Sequence, residues 1–319
     1  MRFVKMHGIG NDYIYLDAYA RPELEARVGS DRGAVIPRLS DRHEGVGGDG
    51  VILVCRPRVP GAHVRMRMFN ADGGEAEMCG NGVRCVAKFA HDRLGLHHSP
   101  LLVETGRGVL RVDCRIEHGR LREATVDMGP PELNLARIGV DESRLTRRGQ
   151  LSHYAFETGI GPGSVWVGVF VSMGNPHVVL FETENRQISS VGLEHLNLTQ
   201  IGPFIERHPA FVNRINAHFV RVRTRALADM RSWERGTGET RACGTGACAA
   251  CVAGVISGTL DPEATLRLPG GDLRVSWSGG ESTVRMTGPA EESFVGEFPD
   301  EWLEPGAPRG PASASDASR

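Results

Sequence analysis

A nine-residue motif occurs twice in this chain of 319 residues and constrains its fold more than any other feature. Residues Gly74–Gly82 read GEAEMCGNG and residues Gly238–Gly246 read GETRACGTG, so the pattern Gly-Glu-x-x-x-Cys-Gly-x-Gly returns after 164 residues. A chain of this length buries about three quarters of its unfolded surface, in one large core or in two domains of about 150 residues. The repeat favours two domains built on the same plan.

The cysteine of each motif is predicted to lie at the start of a helix, because small and apolar residues follow over Val83–Leu94 and Ala247–Ile256. The unpaired N–H groups and the dipole of a helix start stabilise a thiolate, so we expect Cys79 and Cys243 to be reactive thiols with a lowered pKa. The glycines that follow leave backbone N–H groups open to a substrate carboxylate. One thiol could then remove an α-proton while the other supplies a proton to the opposite face, which is racemisation or epimerisation without a cofactor.

The rest of the pattern predicts an α+β fold of two pseudo-symmetric domains. Alternating or β-branched segments predict strands at residues 3–7, 13–17, 51–55, 63–69, 101–104, 109–116, 122–127, 165–173, 178–181, 218–224, 227–234, 264–268, 273–277 and 283–286. The turns between these strands are too short for parallel crossovers, so each domain is expected to be a mostly antiparallel sheet or barrel wrapped around a central helix. The active site is expected in the cleft between the domains.

The domain boundary is predicted at the break Gly129-Pro130-Pro131. Residues 1–128 form the first predicted domain and residues 129–287 the second, and residues 288–304 are free to return to the first. A further helix is predicted near residues 197–207. The end of the chain, residues 306–319, is rich in Pro, Ala, Ser and Gly and is predicted to be disordered.

Charge and composition point to a small-molecule substrate. The formal net charge is -2, with a pI near 6.6 and charges of both signs interspersed, which gives no basic stripe for nucleic acid or for anionic lipid. The start of the chain lacks the apolar run of a signal peptide, so a cytoplasmic location is expected. The long uncharged stretch Gly159–Phe181 contains Pro162 and a central Asn-Pro, so it is interpreted as strands joined by a turn rather than as a membrane span.

Two alternatives use the other cysteines. The pair Cys248 and Cys251 has Cys-x-x-Cys spacing, which occurs in zinc sites and in thioredoxin-like redox pairs, but no second ligand pair accompanies it. A thiol-redox or metal-binding protein is therefore a competing hypothesis, although no metal is expected. With seven cysteines in irregular positions, structural disulfides are not expected either. A racemase or isomerase of another amino acid or acidic metabolite is the other competing hypothesis.

Four separated motifs resemble those of the diaminopimelate epimerase family. They are Lys5-Met6-His7-Gly8-Ile9-Gly10-Asn11-Asp12; Phe69-Asn70-Ala71-Asp72-Gly73 leading to Cys79-Gly80-Asn81-Gly82; Met173-Gly174-Asn175-Pro176-His177; and Trp233-Glu234-Arg235-Gly236 leading to Cys243-Gly244-Thr245-Gly246. The resemblance runs in order over about residues 2–304. Proline racemase-like enzymes share the two-cysteine arrangement, but their neighbouring motifs are different.

The resemblance implies an epimerase that needs no pyridoxal phosphate. It would convert LL-2,6-diaminopimelate to the meso form, for lysine and peptidoglycan precursor synthesis, as a homodimer with two pseudo-symmetric domains. It makes Cys79 and Cys243 the acid and base pair. It assigns substrate binding to Asn11, Asn70, Gly80, Asn81, Asn175, Asn216, Glu234, Arg235, Gly244 and Thr245.

Residue chemistry agrees with several of these implied roles. Arg235 suits a two-bond clamp on a distant carboxylate, and asparagine side chains can pair with both ammonium and carboxylate groups. Asn11 and Asn216 could equally be turn formers. His177 either orients a thiol or caps a strand. Many family members carry a substrate-contacting glutamine where this chain has Gly50, and the chain has extra residues near positions 21–37, which leaves the breadth of substrates open.

Overall fold

The computed structural model describes residues 1–149, 152–159 and 164–304. Pro162 and the predicted disordered tail at residues 306–319 lie outside these ranges. Internal contacts divide the chain into two compact units. Unit 1 contains Met1–Val126 and the described residues from Pro289 onward, and unit 2 contains Asp127–Gly288.

The helices and strands follow one another in a regular order. The first part of the chain contains β1 (Arg2–Gly8), β2 (Asn11–Ala18), α1 (Glu23–Ser30), α2 (Arg32–Ser40), β3 (Gly50–Cys55), β4 (Val64–Asn70), β5 (Glu75–Ala76), α3 (Gly80–Leu94), β6 (Leu101–Thr105), β7 (Gly108–Glu117) and β8 (Arg120–Asp127). The remainder contains α4 (Leu135–Ile138), β9 (Thr146–Arg148), β10 (His153–Glu157), β11 (Val165–Ser172), β12 (Pro176–Phe181), α5 (Arg186–Val191), α6 (Leu198–Glu206), β13 (Asn216–Thr224), β14 (Leu227–Glu234), β15 (Gly238–Thr240), α7 (Gly244–Ile256), β16 (Glu263–Leu268), β17 (Gly271–Ser276), β18 (Arg285–Pro289) and β19 (Glu291–Glu297), with short 3-10 helices at Glu142–Arg144, Leu193–His195 and Asp300–Leu303. The helix predicted near residues 197–207 is α6.

Strand pairing in unit 1 alternates between antiparallel hairpins and parallel crossovers. β1 pairs antiparallel with β2 on one side and with β19 on the other. β2 is parallel to β3, and β3 is antiparallel to β4. β4 is parallel to β6, and β6 and β7 continue antiparallel toward β8. The helices α1 and α2 lie between β2 and β3 in sequence, and α3 lies between β4 and β6.

Unit 2 repeats the same succession of pairings. β11 is antiparallel to β12, β12 is parallel to β13, and β13 is antiparallel to β14. β14 is parallel to β16, and β16 and β17 continue antiparallel to β18. α5 and α6 occupy the first crossover and α7 the second. The predicted α+β fold of two pseudo-symmetric domains is confirmed.

The parallel pairs are the main difference from the predicted fold. Each unit contains two of them, because helices supply crossovers that the strand spacing alone did not reveal. The segment near residues 21–37 is one such crossover, since it forms most of α1 and α2 rather than a simple insertion.

Each unit has a buried helix behind its motif. α3 contacts strands β1, β2, β3, β4, β6 and β7, and its residues Gly80–His91 are buried. α7 contacts β11, β12, β13, β16 and β17, and consists almost entirely of Gly, Ala, Cys and Val, so it can be covered on all sides. Within the described ranges, no helix combines the length and the apolar character needed to cross a membrane.

Each unit also contains an apolar cluster formed by its strands and its other helices. In unit 1 the cluster contains Ile14, Leu16, Leu24, Ile36, Leu39, Val51, Leu53 and Phe69, so α1 and α2 pack on β2 and β3. In unit 2 it contains Tyr154, Phe156, Trp166, Phe170, Leu180, Ile205, Phe211 and Phe219. These clusters fix the strands whose ends carry the polar residues of the motifs.

Candidate active site

Cys79 caps the first turn of α3, as the motif predicts. Its backbone is extended, with φ −138° and ψ 121°, and its Sγ accepts a hydrogen bond from the N–H of Gly82 at 3.5 Å. The side chain is half-buried. Because the first N–H groups of a helix have no intrahelical carbonyl partner, the backbone of Gly80 and Asn81 lies at the donor-rich end of α3, where an anion is favoured.

Asn11 contacts the Cys79 thiol and is held from behind. Its Oδ1 accepts from Cys79 Sγ at 3.4 Å, while its Nδ2 donates to Asp49 Oδ2 at 2.7 Å. The same Asp49 oxygen accepts the N–H of Asp12 at 3.0 Å, and the other oxygen of Asp49 accepts from Arg42 at 2.9 Å. A carboxylate can only accept, so Asp49 turns the amide with its carbonyl oxygen toward the thiol.

Asn81 completes this group of side chains. Its Nδ2 donates to Asn11 Oδ1 at 3.3 Å, and its own Oδ1 accepts from Arg84 Nη2 at 2.9 Å. Arg84 is fully buried and also donates to the carbonyl oxygen of Pro289 at 3.1 Å. Two charged residues, Asp49 and Arg84, therefore determine the orientation of two amides beside Cys79.

Gly50 and Asn70 face each other across β3 and β4. Asn70 is exposed at the end of β4, where its backbone N–H donates to the carbonyl oxygen of Gly74 at 2.9 Å. A Cβ built on Gly50 would lie 2.0 Å from the carbonyl oxygen of Phe69, so this backbone admits glycine alone. A glutamine at this position would require a different backbone path.

Cys243 repeats the capping geometry of Cys79 in unit 2. Its Sγ accepts from the N–H of Gly246 at 3.3 Å and lies 3.7 Å from Thr245 Oγ1, in the first turn of α7 after Gly244. Burial nevertheless raises the pKa of the Cys243 thiol well above its usual range, and the Glu234 carboxylate raises it further. The expected lowering of the Cys243 pKa is therefore wrong, because desolvation outweighs the hydrogen bonds from Thr245 and Gly246.

Glu234, at the end of β14, is the charged group that acts on this thiol. Its Oε1 accepts a 2.5 Å hydrogen bond from Thr240 Oγ1. The negative charge beside Cys243 disfavours the thiolate, which is one cause of the raised pKa. Glu234 thus helps to keep Cys243 protonated.

Removing that charge should make the Cys243 thiol more acidic. In Glu234→Gln we expect the pKa of Cys243 to fall, so that thiolate forms at lower pH than in the parent. The measurement is a pH titration of thiolate ultraviolet absorbance, taken as the difference between each protein and the same protein carrying Cys243→Ser. Glu239→Gln is the control, because Glu239 is exposed and paired with Arg231 at 2.7 Å. Superimposable titrations of the parent and Glu234→Gln would contradict the expectation.

Asn175 occupies the position in unit 2 that corresponds to Asn11, since 164 residues separate the two asparagines, as they do the two cysteines. Its Oδ1 accepts from His177 Nε2 at 2.9 Å, and its Nδ2 lies 3.5 Å from Thr245 Oγ1. His177 is buried, and its Nδ1 bonds to His218 at 2.8 Å. The two ring nitrogens of His177 therefore orient an amide and a second ring, which is neither of the two roles predicted for it.

The side chain of Asn216 binds backbone groups through both its amide nitrogen and its amide oxygen. Its Nδ2 donates to the carbonyl oxygen of Pro176 at 2.8 Å, and its Oδ1 accepts from the N–H of Arg235 at 2.9 Å. Arg235 follows β14, and its Nη1 donates to the carbonyl oxygen of Asn213 at 2.8 Å. The guanidinium also lines a surface cavity of about 500 Å³ together with Arg137 and Arg214.

Three polar residues at these clusters were not predicted from the sequence: Asp49, Arg84 and His218. The signal for His218 was present, because Asn175-Pro176-His177 is matched by Asn216-Ala217-His218 at the start of the next parallel strand. Asp49 adjoins Gly50 in a glycine-rich segment, where the sequence alone indicates only a turn residue.

The Cys-x-x-Cys pair lies inside α7. Cys248 and Cys251 are both fully buried. In the part of the chain that the structure describes, His, Cys, Asp and Glu side chains form no group of three or more that could hold a metal ion.

Comparison with known proteins identifies the family. The family model described as "Diaminopimelate epimerase" matches residues 3–134 and 169–292. The chain is 43% identical to the diaminopimelate epimerase of Pelotomaculum thermopropionicum, over 94% of this chain and 99% of that protein. It is also 43% identical to the diaminopimelate epimerase of Desulfovibrio desulfuricans, over 93% of this chain and 98% of that protein.

A solved structure shows the same fold at low identity. The crystal structure of a probable proline racemase from Agrobacterium radiobacter superposes with a TM-score of 0.62 at 12% identity, over 95% of both chains. That likeness concerns the fold, whereas the family match and the relatives above concern sequence over almost the whole chain. On that evidence, the chain belongs to the diaminopimelate epimerase family.

Proposed function

We propose that this protein interconverts LL-2,6-diaminopimelate and meso-2,6-diaminopimelate with two cysteine thiols as its acid and base. The single observation that carries the proposal is that Cys79 and Cys243 both cap helix starts within the repeated motif. The two named relatives, each 43% identical, are diaminopimelate epimerases. The reaction uses neither pyridoxal phosphate nor a metal ion, and it serves lysine and peptidoglycan precursor synthesis.

The two thiols lie in different environments. Burial and the Glu234 carboxylate keep Cys243 protonated, so Cys243 is suited to donate a proton to the α-carbon. Cys79 is then the base that removes the α-proton from the opposite face, for which its Sγ must first give up the proton that it donates to Asn11 Oδ1 in the structure. In the reverse direction the two roles exchange.

The substrate groups are assigned by the chemistry that the side chains offer. The helix starts at Gly80–Asn81 and Gly244–Thr245 bind the carboxylate next to the reacting carbon. Asn11, Asn70 and Asn175, with Glu234 and Arg235, hold the rest of the substrate, with Arg235 on the distant carboxylate. Because Asn216 bonds to the backbone N–H of Arg235 and to Pro176, its contribution is to position these two residues.

The decisive assay incubates the purified protein with LL-2,6-diaminopimelate in deuterated water and separates the stereoisomers. We expect meso product with solvent deuterium at the inverted carbon, while unreacted substrate stays mostly protiated, because each thiol serves one face. Original hydrogen in the product in quantity would point to a single base. Turnover of L-proline but not of diaminopimelate would move the assignment to another racemase, and loss of activity on dialysis against a chelator would point to a metal enzyme.

A cytoplasmic homodimer completes the proposal. All seven cysteines, each within the described residues, are thiols, which suits a reducing compartment. The strand β19 pairs with β1 and carries Phe294 at 49% exposure and Val295 at 37%, so it offers an exposed apolar surface to a second copy.

Charge on that apolar surface should weaken the dimer. We expect Phe294→Asp to shift the protein toward monomer, because a carboxylate in a two-fold contact faces its own copy. Sedimentation equilibrium of the parent and the variant measures this. Val191→Asp, at another exposed apolar residue with 50% exposure, is the control. A monomeric parent, or a dimer unaffected by Phe294→Asp alone, would exclude β19 as the interface.

A further inference from the structure

A buried chain of polar side chains runs behind Asn175 in unit 2. Ser232 Oγ bonds to His218 Nδ1 at 2.9 Å, His218 Nε2 to His177 Nδ1 at 2.8 Å, and His177 Nε2 to Asn175 Oδ1 at 2.9 Å. Both histidines have no exposed surface, and Ser232 is 2% exposed. Each imidazole uses both of its nitrogens within the chain.

The direction of every hydrogen bond in this series of side chains follows from the amide of Asn175. A carbonyl oxygen only accepts, so Asn175 Oδ1 requires the proton of His177 on Nε2. Burial lowers the pKa of His177 well below its usual range and that of His218 to about 3, so each ring is neutral and carries one N–H. His177 Nδ1 therefore accepts from His218 Nε2–H, and His218 Nδ1 accepts from the hydroxyl of Ser232. The hydroxyl of Ser232 is thus coupled, through the two imidazole rings, to the orientation of the Asn175 amide.

We infer that His218 is a positioning residue for the epimerase, which holds His177 in one tautomer and thereby keeps the NH₂ group of Asn175 turned toward Thr245. The inference rests on the proposed function. Asn175 Nδ2 lies 3.5 Å from Thr245 Oγ1, in the first turn of α7. With the amide reversed, a carbonyl oxygen would stand at this position, and a substrate carboxylate would lose a donor and meet an acceptor.

Unit 1 shows that packing at this place does not require a histidine. Strands β3 and β4 pair Ile52 with Met68, as β13 and β14 pair His218 with Ser232. A Cβ built on Gly82 would lie 2.8 Å from Ile52 Cδ1, and one on Gly246 would lie 2.2 Å from His218 Cε1. The corresponding positions thus hold two apolar side chains in unit 1 and two members of the polar chain in unit 2.

Energetics support a functional reason for this difference. Buried polar groups cost free energy unless every one is hydrogen-bonded, and a fully bonded network specifies one arrangement of its members. An apolar pair such as Ile52 and Met68 avoids that cost. The hydrogen-bonded side chains of Ser232, His218 and His177 instead give Asn175 a defined orientation.

The test compares His218→Gln with His218→Leu. Glutamine retains an N–H donor near the position of His218 Nε2, whereas leucine fills a similar volume without one. We expect His218→Leu to lower kcat/KM for LL-2,6-diaminopimelate by about tenfold or more, as for a lost hydrogen bond to a charged group. His218→Gln should lose markedly less, although its thermal unfolding temperature falls by a comparable amount. Equal losses of kcat/KM in the two variants at equal stability would reduce His218 to a packing residue and overturn the inference.

A second readout does not depend on activity. Two-dimensional ¹⁵N NMR of the imidazoles in the substrate-free parent should show His177 and His218 protonated at Nε2 alone, and His218→Leu should show His177 as a mixture of tautomers. Protonation of His177 at Nδ1 in the parent would overturn the inference. If His218→Leu does not fold, Ser232→Ala takes its place, and unchanged single tautomers in that variant would also overturn it. An inactive parent with the expected tautomers would instead contradict the proposed function alone.

Discussion

Replacing either Cys79 or Cys243 with serine should lower the rate of diaminopimelate epimerisation by roughly 10²- to 10⁴-fold, the usual contribution of a positioned acid or base. A hydroxyl is a far weaker acid than a thiol. It therefore donates its proton less readily and does not form the required base at neutral pH. Serine is a favoured N-cap residue, and both cysteines occupy N-cap positions. The helices should therefore remain intact, and the loss should be chemical rather than structural. Steady-state rates with chiral separation of the products, together with circular dichroism, measure both quantities.

Cys114→Ser is the matched control for these variants. Cys114 is a half-buried thiol on β7, outside both copies of the repeated motif, and burial raises its pKa to about 11. We expect this variant to retain activity near that of the parent. Full activity in either Cys79→Ser or Cys243→Ser would remove the paired acid and base from the mechanism.

Adding one methyl group at Gly246 should damage both stability and activity. A Cβ there would lie 2.2 Å from His218 Cε1 and 2.7 Å from both ring nitrogens. The ring cannot move aside without breaking its hydrogen bonds to His177 and Ser232, and the alternative is a shift of the α7 turn that Cys243 caps. Overpacking of this kind costs about 1–3 kcal/mol of unfolding free energy. Urea denaturation and kcat/KM for Gly246→Ala test the expectation.

Gly82→Ala provides a control at the corresponding position of α3. Its Cβ would lie 2.8 Å from Ile52 Cδ1, the flexible end of an aliphatic side chain that can change rotamer. The cost in unfolding free energy should therefore be smaller than at Gly246, and the loss of activity smaller as well. Equal costs at the two glycines would show that the His218 ring is not the obstacle.

The sequence alone predicted the elements that depend on local patterns. The repeated motif predicted Cys79 and Cys243 at helix starts, because a segment of small and apolar residues follows each cysteine. The two-domain α+β fold followed from the same repeat. The fourteen predicted strands match observed strands to within a few residues, since their alternation reflects one buried face, whereas β5, β9, β10, β15 and β19 were not predicted.

Properties that depend on distant partners were not predictable in this way. Asp49 and Asn11 are 38 residues apart, and only the parallel pairing of β2 with β3 brings them into contact. The pKa of Cys243 was predicted in the wrong direction, because a helix start can be inferred from sequence whereas its desolvation and the closeness of Glu234 cannot. Gly50, seen first as a missing glutamine, is required by the position of the Phe69 carbonyl.

The pairing of β19 with β1 has a consequence for synthesis on the ribosome. β1 emerges long before β19 (Glu291–Glu297), so unit 1 stays one strand short while all of Asp127–Gly288 is being made. Unit 2 is continuous in sequence and can complete its own pairings during that interval. Until β19 arrives, the outer edge of β1 is open to strands of other nascent chains. Unit 1, which carries Cys79, is therefore the second of the two units to complete its strand pairing.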